Sequence, residues 1–375
     1  MDSYKLISAD SHVNEPPHVW QKRVPAQFKE RAPRMQRFEQ GDGWVLEGVP
    51  FPYPFGMTNC AGETREQRER HSWWVKWEDT PKGSDDPRAR LSELDADRVD
   101  AELLYPTPSL SGAIYRNKDA DFHLACVRAY NDWLSEYCAV APDRLVGLAM
   151  LPNVGVEAAV LELRRAMELP GIGGAMIGRY PHGDLQIKPE DDALWATAEA
   201  MGVGLSIHTG LTGDGPLYSP VDRPAGFLAE ERFRDIPIRA AQFIYTKVFE
   251  RYPRLNIIFA EADAGYAPAF AEQMDNMYKR GNVRPPLKLK ELPSYYFRHN
   301  LAFSFITDTY GIANRHWVGV DRMLWSSDYP HARANWPHSW KVIETEFAGV
   351  PPVEKQAMLA GNAVRLYGLV AKGRP

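Results

Sequence analysis

Leu145-Val146-Gly147-Leu148-Ala149-Met150, a helical repeat over 156–169, then Gly173-Gly174-Ala175-Met176-Ile177: this stretch decides the fold. Short runs that are apolar throughout suit strands buried on both faces. With a helical segment between them they form a β/α crossover unit. The same unit recurs in both directions. Towards the N-terminus lie the runs 4–9 and 101–106, with helical spacing over 88–98 and 119–140. Towards the C-terminus, helices over 190–201, 238–251 and 267–280 alternate with runs 204–208, 256–261 and 300–305. Gly202 reads as the stop of the first of these helices. Helical residues 310–317 precede a last run, 322–328, and two helices close the chain, the final one over 353–367. Eight strands alternating with helices predict an α/β fold, a distorted (β/α)8 TIM barrel, as a single domain over 1–375. An open dinucleotide-binding sheet would need Gly-x-Gly-x-x-Gly after its first strand. None is there, and Gly171-Ile172-Gly173-Gly174 opens a strand instead of a helix.

One segment breaks the rhythm. Residues 21–86 mix charge, Pro and Gly with aromatics such as Trp44, Phe51-Pro52-Tyr53-Pro54-Phe55 and Trp73-Trp74-Val75-Lys76-Trp77. Disordered segments lack aromatics, so this reads as an insertion after strand one. It either folds over the site or packs as a β-hairpin outside the barrel. The tryptophans suggest an apolar cover for a substrate, although such side chains serve packing just as often.

The 375 residues are 44% hydrophobic, enough for a large core, and carry a net charge of −5. No Lys/Arg block suits a phosphate backbone, so nucleic acid is not an expected partner. No run is long and apolar enough to cross a membrane, and no secretory signal stands out. Three cysteines, Cys60, Cys126 and Cys138, make neither an even disulfide framework nor a Cys-x-x-Cys site. They read as buried thiols of a cytoplasmic protein.

In a barrel of this kind, chemistry gathers at the C-terminal ends of the strands. Read in order, those ends carry Asp10 and His12, then His208, Glu261 and Asp328. Asp10 and His12 are spaced i, i+2, which puts both side chains on one side of a strand. Each has an ordinary alternative: Asp10 or Asp328 could cap a turn, and His208 could be a loop histidine satisfied locally. Glu261 is harder to explain so, because a carboxylate ending a buried apolar strand is costly unless paired or metal-bound. Together the five predict a metal site.

These residues also carry a resemblance. Asp10-Ser11-His12-Val13-Asn14-Glu15-Pro16, Ser206-Ile207-His208, Trp325-Ser326-Ser327-Asp328-Tyr329-Pro330-His331 and the closing Gly361-Asn362-Ala363-Val364-Arg365-Leu366-Tyr367-Gly368-Leu369 resemble the amidohydrolase superfamily. The likeness is to its amidohydrolase-2 branch, which includes aminocarboxymuconate semialdehyde decarboxylase. It implies a distorted barrel with a divalent metal at the strand ends, and His12, His208 and Asp328 as ligands. Two positions depart from the branch: Asp10 stands where a histidine is common, and Glu261 where the decarboxylase has one. No lysine follows strand four, so a carbamate-bridged pair of ions is not implied. Relatives commonly pair, which by analogy implies a homodimer.

The expected chemistry is hydrolysis or non-oxidative decarboxylation of a small, carboxylate-bearing substrate. Asp10, His12, His208, Glu261 and Asp328 are the candidate ligands of a divalent ion, zinc first, with manganese or iron as alternatives. Such an ion activates water or anchors a carboxylate. Glu261 or Asp328 would act as base, with His331 as proton shuttle. Arg179 and Arg333, near strand ends, would hold an anionic substrate, or else form surface ion pairs. The alternative is a dinuclear iron or mixed-metal oxygenase on the same fold. Three carboxylates can balance two ions, Glu261 could bridge them, and oxygen-rich sites suit iron.

Overall fold

The computed structural model describes residues 4–70, 72–210, 227–283 and 287–370. Eight strands form one sheet: β1 (Ile7–His12), β2 (Ala101–Tyr105), β3 (Leu145–Met150), β4 (Ile172–Met176), β5 (Leu205–His208), β6 (Ile257–Ala260), β7 (Leu301–Phe305) and β8 (Met323–Trp325). They run parallel and neighbour one another in chain order, as a (β/α)8 barrel requires. Every strand residue except Gly173 is buried, which is why the runs read as continuously apolar. Helices cover the outside, among them Ala120–Cys138, Val156–Ala166 and Ala267–Lys279.

The sheet closes on itself through a seam between β8 and β1. The Asp328 N–H donates to the Asp10 carbonyl at 2.9 Å, and the His12 N–H to the Tyr329 carbonyl at 2.8 Å. Lower in the seam, the hydroxyls of Ser8, Ser11 and Ser327 lie 2.9–3.1 Å apart, and the Ser327 N–H donates to Ser8 Oγ. The register of β1 on β2 also shifts between Ser8 and Ser11. That irregularity lies in the segment from which Asp10 projects.

Several expected boundaries move. The last strand stops at Trp325, because Asp328 takes a left-handed conformation (φ 55°) that turns the chain towards β1. The helix expected over 238–251 is Phe227–Tyr245 followed by Val248–Arg251, broken where Lys247 adopts φ 59°. The last helix is three pieces, Pro352–Gln356, a π-helical turn Ala357–Gly361, and Asn362–Tyr367. Gly202 caps Asp192–Met201 in the left-handed conformation, as expected.

The insertion contains a three-stranded antiparallel sheet, Arg34–Arg37, Asp42–Val45 and Tyr53–Pro54. Three of its tryptophans pack against other rings. Trp44 is buried edge-on against Trp20, while Trp74 meets Phe38 and Trp77 meets Phe55 within the insertion itself. A different part reaches the barrel rim. The Ala61 N–H donates to the Pro330 carbonyl and the Ala332 N–H to that of Met57, so residues 57–61 are strapped to the loop after β8.

Candidate metal centre

Four side chains meet at the upper end of the seam. Asp10 Oδ1 lies 3.5 Å from the Nε2 of both His12 and His208, and Asp328 Oδ1 lies 3.5 Å from His12 Nε2. The two Nε2 atoms face each other at 3.2 Å. All four residues are buried. His331 stacks on the His12 ring at 3.9 Å and brings its Nδ1 to 2.9 Å from Asp328 Oδ1. The ligand atoms of Asp10, His12 and His208 all fall within 4.8 Å of one another, as do those of His12, Asp328 and His331.

The protonation pattern tests whether a cation fits. His12 Nδ1 donates to the Pro106 carbonyl at 3.0 Å, and His208 Nδ1 to that of Thr209 at 2.6 Å. A carbonyl can only accept, so each Nδ1 carries hydrogen, and in a neutral ring each Nε2 presents its lone pair inward. Two neutral rings would set these lone pairs against each other at 3.2 Å, so a proton or a metal ion belongs between them, and both Asp10 oxygens are buried without a hydrogen-bond donor. Such a cluster calls for positive charge. Burial pushes the His12 imidazole well below its ordinary pKa, and the neighbouring histidines add to this. Burial acts the same way on His208, but Asp10 and Glu261 outweigh it and raise that pKa to about 9. Two carboxylates and two imidazoles so arranged fit a divalent ion, with the Pro106 and Thr209 carbonyls fixing both rings.

Glu261 and Asp328 share a backbone peculiarity. Glu261 has φ 53° and Asp328 φ 55°, a conformation costing a non-glycine residue about 1 kcal/mol or more. Neighbours hold each in place: the Glu261 N–H donates to Ser304 Oγ at 2.8 Å, and Asp328 is tied to Asp10. Strain retained at two strand ends aims both carboxylates at the barrel mouth.

The remaining expected residues divide. Glu261 Oε2 stands 4.0 Å from His208 Nε2, while its Oε1 accepts from Arg333 at 3.0 Å. Arg333 also lies 3.9 Å from Asp263, so it reaches the site's edge already paired. Arg179 is half-buried in the loop after β4, where it donates to the Gly183 carbonyl at 3.5 Å.

Sequence reading missed three groups. Tyr105 puts its ring 5.3 Å from His208 and 6.1 Å from His12, and its hydroxyl stands 3.5 Å from that of Tyr367, which meets Ser206 Oγ at 2.8 Å. Glu15, inside the quoted motif, is buried. It accepts from the Thr107 N–H at 3.0 Å with one oxygen, and its other oxygen has no partner. Burial raises its pKa to about 7. Arg90 and Glu102 form a wholly buried ion pair beneath His12. A glutamate inside the strand Ala101-Glu102-Leu103-Leu104-Tyr105 was the available signal.

Known proteins share this fold. The profile of the family described as Amidohydrolase matches residues 10–369. A gamma-resorcylate decarboxylase from Rhizobium radiobacter is 27% identical over 295 residues, covering 75% of this chain and 86% of its own. An amidohydrolase from Mycobacterium avium subsp. paratuberculosis superposes with a TM-score of 0.76 at 20% identity over 99% of both chains. A dihydroxybenzoic acid decarboxylase from Polaromonas, solved with bound manganese and 2-nitroresorcinol, superposes with a TM-score of 0.65 at 19% identity over 98% of both. With its profile match running from Asp10 to the closing helix, this chain belongs to the amidohydrolase family.

Proposed function

We propose that this protein is a divalent-metal-dependent, non-oxidative decarboxylase of a small aromatic or similarly conjugated carboxylate. One observation carries the reading: the Nε2 atoms of His12 and His208 converge with the buried carboxylates of Asp10 and Asp328, and neither Asp10 oxygen has a hydrogen-bond donor. The chemistry of the Rhizobium radiobacter relative favours carbon–carbon cleavage over hydrolysis. Asp10, His12, His208 and Asp328 would hold the ion. Two carboxylates among four donors favour a harder ion than zinc, and the manganese of the Polaromonas enzyme agrees.

In the reaction the carboxylate leaves as CO2 and the carbon that bore it takes one proton. When bound, the ion supplies Lewis-acid polarisation of the substrate's carboxylate and neighbouring oxygen. His331 and Asp328 hold the proton. Burial disfavours the His331 imidazolium, but the Asp328 carboxylate outweighs it and raises the pKa. Glu261, 4.0 Å from His208 Nε2, is the further acid–base group. Arg333 at the rim, with Arg179, would grip the substrate's anionic part.

The dinuclear oxygenase alternative loses support here. It needs Glu261 as a bridge between ions, and one Glu261 oxygen is engaged by Arg333. Three buried, unlinked thiols support a reducing compartment such as the cytoplasm. A single continuous core supports one domain. Exposed Tyr310 and Trp317 support a pairing of two copies.

The test is incubation of manganese-loaded protein with a panel of hydroxybenzoates in D2O. Release of CO2 with deuterium at the vacated carbon is expected. Dioxygen uptake without CO2, or two irons per chain, would defeat the reading.

A further inference from the structure

We infer that Arg90, oriented by Glu102, is a positioning residue of the metal centre: its guanidinium clasps the seam between β1 and β8 and sets the spacing of His12 and Asp328. This rests on the metal-centre reading above. Arg90 lies in the helix Pro87–Ala96 and is fully buried. Its Nε and Nη2 donate to the two oxygens of Glu102 on β2, at 2.6 and 2.9 Å. Its remaining hydrogens reach across the seam. Nη1 donates to the His12 carbonyl at 3.1 Å and Nη2 to the Tyr329 carbonyl at 3.2 Å. The guanidinium also stands 4.5 Å over the Tyr329 ring.

The choice of acceptors gives the pair its meaning. One carbonyl belongs to His12 itself, the other to the residue after Asp328. The Tyr329 carbonyl also accepts the His12 N–H, so Arg90 locks the very bond that joins the two strands beside the cluster. Elsewhere in the seam, serine hydroxyls suffice. A planar fork can serve a carboxylate and two carbonyls together, whereas a lysine ammonium cannot reproduce that geometry. Stability alone is a poor reason for the pair, since apolar residues of similar volume often replace a buried ion pair without loss. Glu102 also cancels a positive charge that would otherwise sit behind His12 and repel a divalent ion.

Titrating metal-free protein with Mn2+, followed by the free-ion EPR signal, and with Co2+, followed by its visible bands, tests the clasp. The variants are Arg90→Lys, Arg90→Met and the double variant Arg90→Met/Glu102→Leu. Positioning predicts that Arg90→Met and the double variant bind Mn2+ about tenfold or more weakly with shifted Co2+ bands. Arg90→Lys should recover part of the affinity. The double variant, which strands no charge, should keep the metal-free melting temperature near that of the parent. Electrostatics alone predicts the opposite sign, because Arg90→Met leaves the Glu102 anion near the ion and should tighten binding. Unchanged or tighter binding with unshifted Co2+ bands, in Arg90→Met or in the double variant, overturns the clasp. Failure of the parent protein to bind either ion overturns the metal centre itself, a separate result.

Discussion

Asp10 and Asp328 are joined through their main chains: the Asp328 N–H donates to the Asp10 carbonyl at 2.9 Å. Two carboxylates from opposite ends of the sequence are thereby fixed on either side of His12, each 3.5 Å from its Nε2. The bond that closes the barrel and the bond that spaces the donors are the same. A change that opens the seam should therefore reach the metal before it reaches the rest of the fold.

Removing one charge from that pair has two readable effects. In Asp10→Asn the amide cannot replace the anion that lifts His208, so the metal-free His208 pKa should drop from about 9 towards or below the ordinary histidine value. Mn2+ affinity should fall by roughly two orders of magnitude or more, at least the upper end of what a supporting residue costs. NMR titration of the imidazoles and an EPR titration of Mn2+ check the two effects. A His208 pKa unmoved by the substitution would mean that Asp10 does not face it.

Glu261 is the residue whose role geometry narrows most. With Oε1 held by Arg333 at 3.0 Å and Oε2 no nearer than 4.0 Å to His208 Nε2, it fits acid–base work better than ligation. Glu261→Gln should keep one ion per chain and lose about 100-fold or more in kcat. Elemental analysis beside steady-state kinetics decides. Loss of the ion would make Glu261 a ligand.

Much of this was legible in the sequence, for physical reasons. Strands buried on both faces must be apolar throughout, so all eight stood out, and the polar residues ending them stood out by contrast. The legible part stopped where the chain departs from that rule. Asp328 follows the strand in a left-handed turn that no periodicity reveals, so the run 322–328 overruns a strand that ends at Trp325. Trp44 left two readings open, cover or packing, because both use the same side chain, and the structure buries it against Trp20. Arg90 escaped notice because, beside Glu102, its partners are backbone carbonyls, which every residue has.

Glu15 gives the clearest dependence of stability on pH. Its carboxyl is buried with one oxygen unpartnered, and its pKa rises from 4.5 to about 7. The folded state thus holds this proton more tightly than the unfolded chain. Its contribution is complete below pH 4.5 and is lost as pH rises through 7. Relative to Glu15→Gln, the metal-free protein should lose on the order of 3 kcal/mol between those limits. Urea unfolding of both proteins at several pH values, with chelator present, measures the difference. Parallel curves would show that Glu15 titrates normally.

The strap over the loop after β8 is held at its base by an amide network. Asn59 Nδ2 donates to the Phe55 carbonyl at 3.0 Å and to Asn14 Oδ1 at 3.2 Å. Its Oδ1 accepts from Asn14 Nδ2 at 2.9 Å and from Ser84 Oγ at 3.0 Å. Asn14 lies two residues beyond His12, so the strap is moored beside the metal centre at one end and on Pro330 at the other. Asn59→Ala leaves buried partners on both sides, a loss of about 1–3 kcal/mol. Residues 57–61 touch the β8 loop and not the cluster's hydrogen bonds, so loosening them should raise KM several-fold and leave metal stoichiometry intact. Protease cleavage should appear first within residues 55–63, ahead of any cut in the barrel. Cleavage beginning in the barrel, or loss of metal at unchanged KM, would mean that the strap supports the ligands themselves.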